Sequence, residues 1–291
     1  MTDEHADSTD DFRDWIGRSE EATDIVAPMR VAEMNATLDR DDPFPGAGDD
    51  LPPLYHWMFA GFLGVVRTSD LGADGHPRRG LFLPPVTLPR RMWAASDVTF
   101  HAALRVGDSV IRRAVIENIE NKTGRSGRLT FVTVRHYYAG PIGPALGDCQ
   151  TIVYREAPAP AENERPPAPR PAPLDAEFSR TLTPGIAMLF RYSALIFNAH
   201  RIHFDRDFAT GEEGYPGLVV HGPLVATLLA DLARRQRPDA RITRIRFRAV
   251  APLFEGREMT LAGRESPGGL TLWAADDRGA LAAEAQVSLE S

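Results

Sequence analysis

The chain has 291 residues, of which 43% are hydrophobic, so it is long enough for two domains that each bury an apolar core. Its formal net charge of −7 offers no overall positive field to hold nucleic acid, and its one cysteine, which cannot form an internal disulfide, is typical of a reducing compartment. No apolar run approaches the length that spans a bilayer and no signal peptide is apparent, so we predict a soluble cytoplasmic protein that binds neither nucleic acid nor a membrane.

The first half of the chain predicts an acidic arm and then a mixed α and β region. Residues 1–24 are acidic and polar, and the apolar spacing of residues 25–38 indicates a helix. A strongly apolar run at residues 54–66 predicts a longer buried helix. A loop at residues 68–89 follows, and its length is typical of a functional or mobile segment. Four strands are then expected, at residues 95–104, 109–120, 127–139 and 147–155.

The second half repeats this order of elements after a break. Residues 157–174 are rich in Pro, Ala and Glu and indicate a semi-extended linker. Because both halves combine helices with strands, we predict an α+β protein with two similar domains, at residues 25–156 and 175–291. A helix is expected at residues 223–234, and strands are expected at residues 242–251, 257–265, 269–275 and 281–289.

Polar side chains with catalytic potential concentrate around residue 200. His203 is a candidate general base, because a neutral imidazole accepts a proton from water at physiological pH. Asn198 cannot ionise, but its amide can orient that water through a hydrogen bond. Gly222 begins a predicted helix, where free N–H groups can hold a negatively charged oxygen. A lone histidine is more often an ordinary buried residue, but the close spacing of these groups favours an active site.

The order of these residues resembles the hydratase motif of the MaoC-like family of R-specific enoyl-CoA hydratases. Residues 202–205, Ile-His-Phe-Asp, match the Ile-His-x-Asp core of that motif, and residues 221–222 match the His-Gly pair that follows it. Asn198 stands where the family has its catalytic aspartate. The flanking residues, and Leu-Pro-Arg-Arg-Met-Trp at residues 88–93, most resemble one subfamily. That subfamily comprises the mesaconyl-C4-CoA (3-methylfumaryl-CoA) hydratases and the type 2 hydroxyacyl-thioester dehydratases.

The resemblance implies a double hotdog fold, in which each half of the chain is a curled antiparallel sheet around a long helix. It implies reversible addition of water across an α,β-unsaturated acyl-CoA, with no metal and no cofactor apart from the coenzyme A of the substrate. The preferred substrate is then mesaconyl-C4-CoA, which is hydrated to citramalyl-CoA. The alternatives are a 3-hydroxyacyl-thioester dehydratase of fatty-acid type, an acyl-CoA thioesterase and a non-catalytic acyl-CoA-binding protein. A homodimer is one assembly that fits.

The substitution at Asn198 leaves the second proton transfer of such a hydratase open. Either one base performs both transfers, or a different carboxylate supplies the second. Asp205 and Asp207 are the candidates that the sequence offers close to the motif.

Arginines are the candidate partners of the phosphate and carboxylate groups of an acyl-CoA. Arg244, Arg246 and Arg248 alternate with apolar residues, so a strand would place all three guanidinium groups on one face. That face suits the phosphates of coenzyme A, or it is an ordinary solvated face. The other predicted substrate-binding residues are Arg90, Arg91, Trp93, Tyr192, Arg201 and His221.

Overall fold

Antiparallel strands form the framework of the computed structural model, which describes residues 11–124, 127–156 and 168–290. The strands are β1 (Ser19–Ile25), β2 (Arg90–Phe100), β3 (Ser109–Gly124), β4 (Gly127–Gly140), β5 (Gly143–Arg155), β6 (Phe178–Leu182), β7 (Arg241–Ala249), β8 (Met259–Ser266), β9 (Gly269–Ala275) and β10 (Leu281–Glu290). They form one ten-stranded sheet in the order β1-β3-β4-β5-β2-β7-β10-β9-β8-β6.

The two halves of the chain contribute neighbouring strands in matching arrangements. From the outer edge to the centre, the first half runs β1-β3-β4-β5-β2 and the second half runs β6-β8-β9-β10-β7. At the centre, β2 pairs with β7, so that Ala95 lies opposite Arg248 and Thr99 lies opposite Arg244. The backbone hydrogen bonds of this central pair therefore join the two halves into one sheet.

The second half folds around a long buried helix, α3 (Gly222–Gln236). The helix contacts all five strands of its own half, β6 to β10. Every residue from Pro223 to Ala233 is buried, and a helix that is apolar on nearly all sides is stable only when protein surrounds it. Two shorter helices, α1 (Pro28–Thr37) and α2 (Ile186–Leu195), pack against each other.

The first half lacks a long central helix in its described residues, so the prediction of one was wrong. The apolar run at residues 54–66 forms only a short 3-10 turn, Tyr55–Met58. Leu54, Ala60 and Gly61 have φ angles of 69°, 56° and 67°, which no α-helix contains. Residues 54–60 and Phe62 of the run are buried as the composition indicates, whereas Val65 is exposed.

The start of the sheet also corrects the predicted arm. Residues 19–25 form β1, and Ser19 lies opposite Val115 in β3, so the last residues of the predicted arm belong to the sheet. The helix that was predicted from residue 25 begins at Pro28. β2 begins at Arg90, five residues before the predicted start of that strand at residue 95.

Two further predictions fall partly outside the described residues. These are residues 1–10 of the arm and residues 157–167 of the linker. Further along, Pro171 forms an isolated β-bridge with Ala280, so the end of the predicted linker lies against the second half. The domain boundaries at residues 25–156 and 175–291 stay a prediction.

The long loop of the first half docks onto the motif of the second half. The N–H of Arg201 donates to the carbonyl oxygen of Asp74 at 2.9 Å, and the Arg201 guanidinium donates to the carbonyl oxygen of Ala73 at 3.0 Å. Gly75 has a φ of +85°, and a Cβ on it would overlap the carbonyl oxygen of Ala199. Only glycine allows this close backbone approach.

We expect Gly75→Ala to disrupt the docking and Gly80→Ala to leave it intact. Both glycines have a positive φ, +85° and +87°, so alanine at either costs about 1–2 kcal/mol in the free energy of unfolding. At Gly80 a Cβ would meet only the Cβ of Pro85, at 3.7 Å. Denaturant unfolding and turnover should therefore show an additional loss of stability, and a loss of turnover, for Gly75→Ala alone. Equal behaviour of the two variants would contradict the docking.

Candidate active site

One cavity of about 800 Å³ lies between the two halves of the chain. The first half contributes residues of β2, β4 and β5 and of the segment at residues 62–89, and the second half contributes residues of the motif, the start of α3 and the end of β7. This size suits a drug-sized ligand or the acyl part of a thioester. The cavity brings together the predicted residues His203, Asn198, Gly222, Arg90 and Arg91, and it also includes Trp93.

His203 lies at the end of a short helical turn, Arg201–His203, and faces the cavity. Its Nδ1 lies 2.7 Å from the carbonyl oxygen of Val219. Because a carbonyl can only accept, Nδ1 carries the proton, and Nε2 is left with a free lone pair. Burial lowers the pKa of His203 to about 4, although the hydrogen bond to Val219 opposes the shift. The imidazole is therefore neutral at pH 7, as a general base has to be.

His221 supports His203 from behind, so the prediction that it binds substrate is corrected. The two imidazole rings stack with their centroids 3.6 Å apart, and His221 is fully buried without lining the cavity. Its Nε2 lies 2.8 Å from the Oγ of Ser193. Tyr192 is also fully buried, and its hydroxyl lies 3.2 Å from the Oγ1 of Thr227. Neither side chain lines the cavity, and both pack behind the motif.

Asn198 follows α2 and enters the cavity after a left-handed residue, Phe197, which has a φ of 53°. The Oδ1 of Asn198 accepts a hydrogen bond from the backbone N–H of His200 at 3.0 Å. Its Nδ2 amide has no hydrogen-bond partner within the described ranges. This amide is therefore free to donate to a water or a substrate oxygen.

Gly222 begins α3 at the cavity wall, beside the indole ring of Trp93. A Cβ on Gly222 would lie 3.0 Å from the Cε3 of Trp93, a tighter contact than a side chain normally makes. The Trp93 ring stacks on Phe247, and its Nε1 donates to the Oε1 of Gln150 at 3.2 Å. The first N–H groups of a helix have no partner within the helix, so the start of α3 presents donors at this wall.

The arginine stripe on β7 lies on the opposite face of the sheet from the cavity, so it does not line the same cavity as His203. Phe247 lines the cavity, whereas its strand neighbours Arg246 and Arg248 are exposed on the other face. Arg244 pairs with Asp97 of β2 at 2.6 Å, and Arg248 pairs with Glu284 of β10. Two of the three arginines therefore connect strands.

The remaining predicted arginines differ in whether their guanidinium groups line the cavity and whether a carboxylate already pairs with them. Arg201 does not line the cavity, because Asp205 holds its guanidinium at 2.7 Å, which corrects its predicted role. Arg90 lines the cavity but pairs with Glu213 at 3.3 Å. The side chain of Arg91 is 7% exposed and lines the cavity, and its Nε has no hydrogen-bond partner in the described part of the chain.

Neither aspartate that was predicted for the second proton transfer reaches the cavity. Asp205 accepts from Arg201 and from the backbone N–H of Phe208 at 3.0 Å, and these bonds lower its pKa. Asp207 lies outside the cavity lining as well. The prediction for both residues is therefore corrected.

Sequence reasoning missed a group of ionisable residues that the fold brings to the motif. Asp74 and His76 come from the docked loop of the first half, and His200 comes from the motif; atoms of their three side chains lie within 4.8 Å of one another. Burial raises the pKa of the Asp74 carboxyl against the opposing charges of Arg91 and Arg79. The unusual length of the loop was the one signal in the sequence that pointed to this region.

Comparison with known proteins assigns the family. The model of the type 2 hydroxyacyl-thioester dehydratases matches residues 54–255, and the chain belongs to that family. It is a hydro-lyase of the hydratase and dehydratase class. A mesaconyl-C4-CoA hydratase of Chloroflexus aurantiacus is 45% identical to it over 287 residues, which cover 97% of this chain and 99% of that protein.

Solved structures agree with the architecture. HtdX from Mycobacterium tuberculosis superposes with a TM-score of 0.66 at 21% identity, covering 92% of this chain and 99% of that one. Another Mycobacterium tuberculosis protein, described as a double hotdog, superposes with a TM-score of 0.54 at 12% identity, covering 94% of this chain and 96% of that one. The predicted family resemblance, the double hotdog fold and the hydro-lyase class are confirmed.

Among the helices in the described ranges, none is long and apolar enough to cross a bilayer.

We expect catalysis to tolerate acid better than an ordinary histidine base would. Because burial lowers the pKa of His203 to about 4, kcat/KM should stay level from pH 8 to well below the usual histidine pKa of about 6.5 and fall as pH approaches 4. The free energy of unfolding should also fall below pH ~6.5, because histidines of the unfolded chain bind protons at a higher pH than the buried histidines of the folded chain do. Circular dichroism at each pH separates the two effects. A fall in kcat/KM near pH 6.5 with the fold intact would contradict the assignment.

Proposed function

We propose that the chain adds water reversibly to mesaconyl-C4-CoA, forming citramalyl-CoA. More generally, the substrate is an α,β-unsaturated acyl-CoA with a second carboxylate at the far end of the acyl group. The observation that carries this proposal is Arg91, a buried guanidinium in the wall of a cavity that also contains His203 and Asn198. Its Nε has no hydrogen-bond partner in the described part of the chain, and its one acidic neighbour there, Asp74, is 3.8 Å away. The similarity to the Chloroflexus hydratase supports the same substrate.

The chemistry needs a base, a positioned water and a group that stabilises the thioester oxygen. The Nε2 of His203 takes a proton from water while the water oxygen bonds to Cβ, and the π electrons move toward the thioester oxygen. The Nδ2 of Asn198 orients the water. The N–H of Gly222 donates to the enolate-like oxygen at the start of α3, and a proton then adds to Cα.

Arg91 is the residue that favours a dicarboxylic acyl group. A buried donor without a partner costs free energy, and a carboxylate that enters the cavity would satisfy it. Guanidinium and carboxylate groups also fit each other in two parallel hydrogen bonds. The nearest acidic oxygen to Arg91, Oδ2 of Asp74, lies 3.8 Å away and is beyond hydrogen-bonding distance. Arg90 is less suited, because Glu213 already neutralises it.

A second candidate is dehydration of longer 3-hydroxyacyl thioesters. Part of the cavity wall is apolar, and it suits an alkyl chain as well as a short acid. The residues concerned are Phe62, Leu63, Val65, Leu81, Phe82 and Leu83. A cytoplasmic location and a homodimer stay predictions.

Loss of the ultraviolet enoyl-thioester band is the direct test. Wild type should consume mesaconyl-C4-CoA faster than crotonyl-CoA or long-chain enoyl-CoAs, and His203→Ala should lower turnover by about 10²–10⁴-fold. Faster turnover of long chains would favour the dehydratase. Release of free coenzyme A would instead identify a thioesterase, and binding without turnover would identify an acyl-CoA-binding protein.

We expect Arg91→Met to change substrate preference and leave the chemistry intact. Losing one partner of a buried ion pair should raise the KM for mesaconyl-C4-CoA by about 10²-fold, with little change for crotonyl-CoA, which has no second carboxylate. Arg246→Met is the matched control, because Arg246 is exposed on the outer face of the sheet. An equal rise in KM for both substrates would show that Arg91 does not bind the second carboxylate.

A further inference from the structure

Hydration requires two proton transfers, and the residues given a part in the mechanism so far supply one acid–base group. His203 accepts the proton of water. Asn198 cannot ionise, and Asp205 and Asp207 lie away from the cavity. A second acid–base group therefore has to come from another part of the cavity wall, if His203 does not act twice.

The loop of the first half carries such a group, His76. Its Nδ1 lies 3.3 Å from the Oδ2 of Asp74, and its backbone N–H donates to the Oδ1 of the same carboxylate at 3.0 Å. The carboxylate thereby fixes the imidazole and stabilises its protonated form. The Nε2 of His76 has no hydrogen-bond partner among the residues described, and the side chain lines the cavity while being only 12% exposed.

His200 connects this pair to the base. Its ring centroid lies 3.9 Å from that of His76 and 5.4 Å from that of His203. Three imidazoles thus lie in a row along the wall, each near the next. His200 also lines the cavity, and burial keeps its pKa well below the usual range, so it stays neutral at rest.

We propose that His76, held by Asp74, is the catalytic acid that protonates Cα, and that His200 passes a proton from His203 back to His76 after each turnover. The inference rests on the proposed hydratase function. In the forward direction, His203 removes a proton from water as the C–O bond forms at Cβ. The enolate then takes the Nε2 proton of His76, which closes the Cα–H bond. Transfer from His203 through His200 restores both groups, and the net change is one water added.

A shared proton suits this cluster better than a bound cation. The guanidinium of Arg91 lies 3.8 Å from the Oδ2 of Asp74, and its positive charge would repel a metal ion at that oxygen. The same charge also disfavours a proton on His200, but a proton carries one unit of charge and a divalent metal ion carries two, so the repulsion is smaller. The backbone contacts of Arg201 and Gly75 hold the loop against the motif, so the geometry is fixed before substrate enters.

The test compares His76→Gln with wild type in hydration and in exchange of the product Cα hydrogen with deuterium from the solvent, followed by NMR. Both rates should fall together by about 10²–10⁴-fold, with KM nearly unchanged. Asp74→Asn keeps the side-chain shape and should lower both rates less while shifting their pH profiles. Asp50→Asn is the control, because Asp50 is exposed, lies outside the cavity lining and pairs with Arg105 at 3.1 Å, and it should behave like wild type.

The outcomes separate this inference from the proposed function. Absence of hydration by wild type would remove the proposed function and the inference together. An active wild type with a His76→Gln variant that keeps its turnover and exchange rates would overturn the inference alone, and His203 would then perform both transfers. Activity that a chelator abolishes and Zn²⁺ restores would also overturn it, because the cluster would then hold a metal. If His76→Gln does not fold, Asp74→Asn decides by its pH profile: an unchanged profile overturns the inference.

Discussion

The pairing of β2 with β7 is the constraint on which the rest of the structure depends. It sets the distance and rotation between the halves, and the ion pair of Arg244 with Asp97 reinforces it on the outer face. Neither half presents a complete site alone. The motif and the start of α3 belong to the second half, while Arg91, Trp93 and the docked loop belong to the first. A shift of one residue in this register would turn the cavity-facing side chains of β2 to the other face of the sheet.

The two halves share strand order but have divided their roles. In the second half, α3 fills the space inside the curled sheet, and its start provides backbone donors. In the first half, left-handed residues at positions 54, 60 and 61 interrupt the corresponding apolar run. The end of that run, from residue 62, lines the cavity. A central helix in both halves would leave less room for an acyl chain. The absence of a long helix from the described residues of the first half therefore leaves room for a substrate.

The sequence predicted eight of the ten strands in the described ranges, α3 and the motif because each has a local signature, and it missed β1 and β6. Alternation identified the strands, the apolar run after Pro223 identified the helix, and the Ile-His-x-Asp spacing identified His203. The failures were non-local. Alternation placed Arg244, Arg246 and Arg248 on one face but could not say which face bordered the cavity. Nothing near Asp74 or His76 indicates that the chain folds back to meet His200, more than a hundred positions later.

Gly75 has a wider consequence for how relatives of this chain are understood. Its contact with Ala199 joins the loop, which has no recognisable sequence pattern of its own, to the hydratase motif. A search for the motif alone would assign the activity to the second half and treat the first half as having no part in it. Natural variation at residues 72–77 would then be scored as neutral drift, although here the two segments form a single surface. For a homologue that keeps the motif but lacks this glycine, membership of the family is therefore weak evidence of activity.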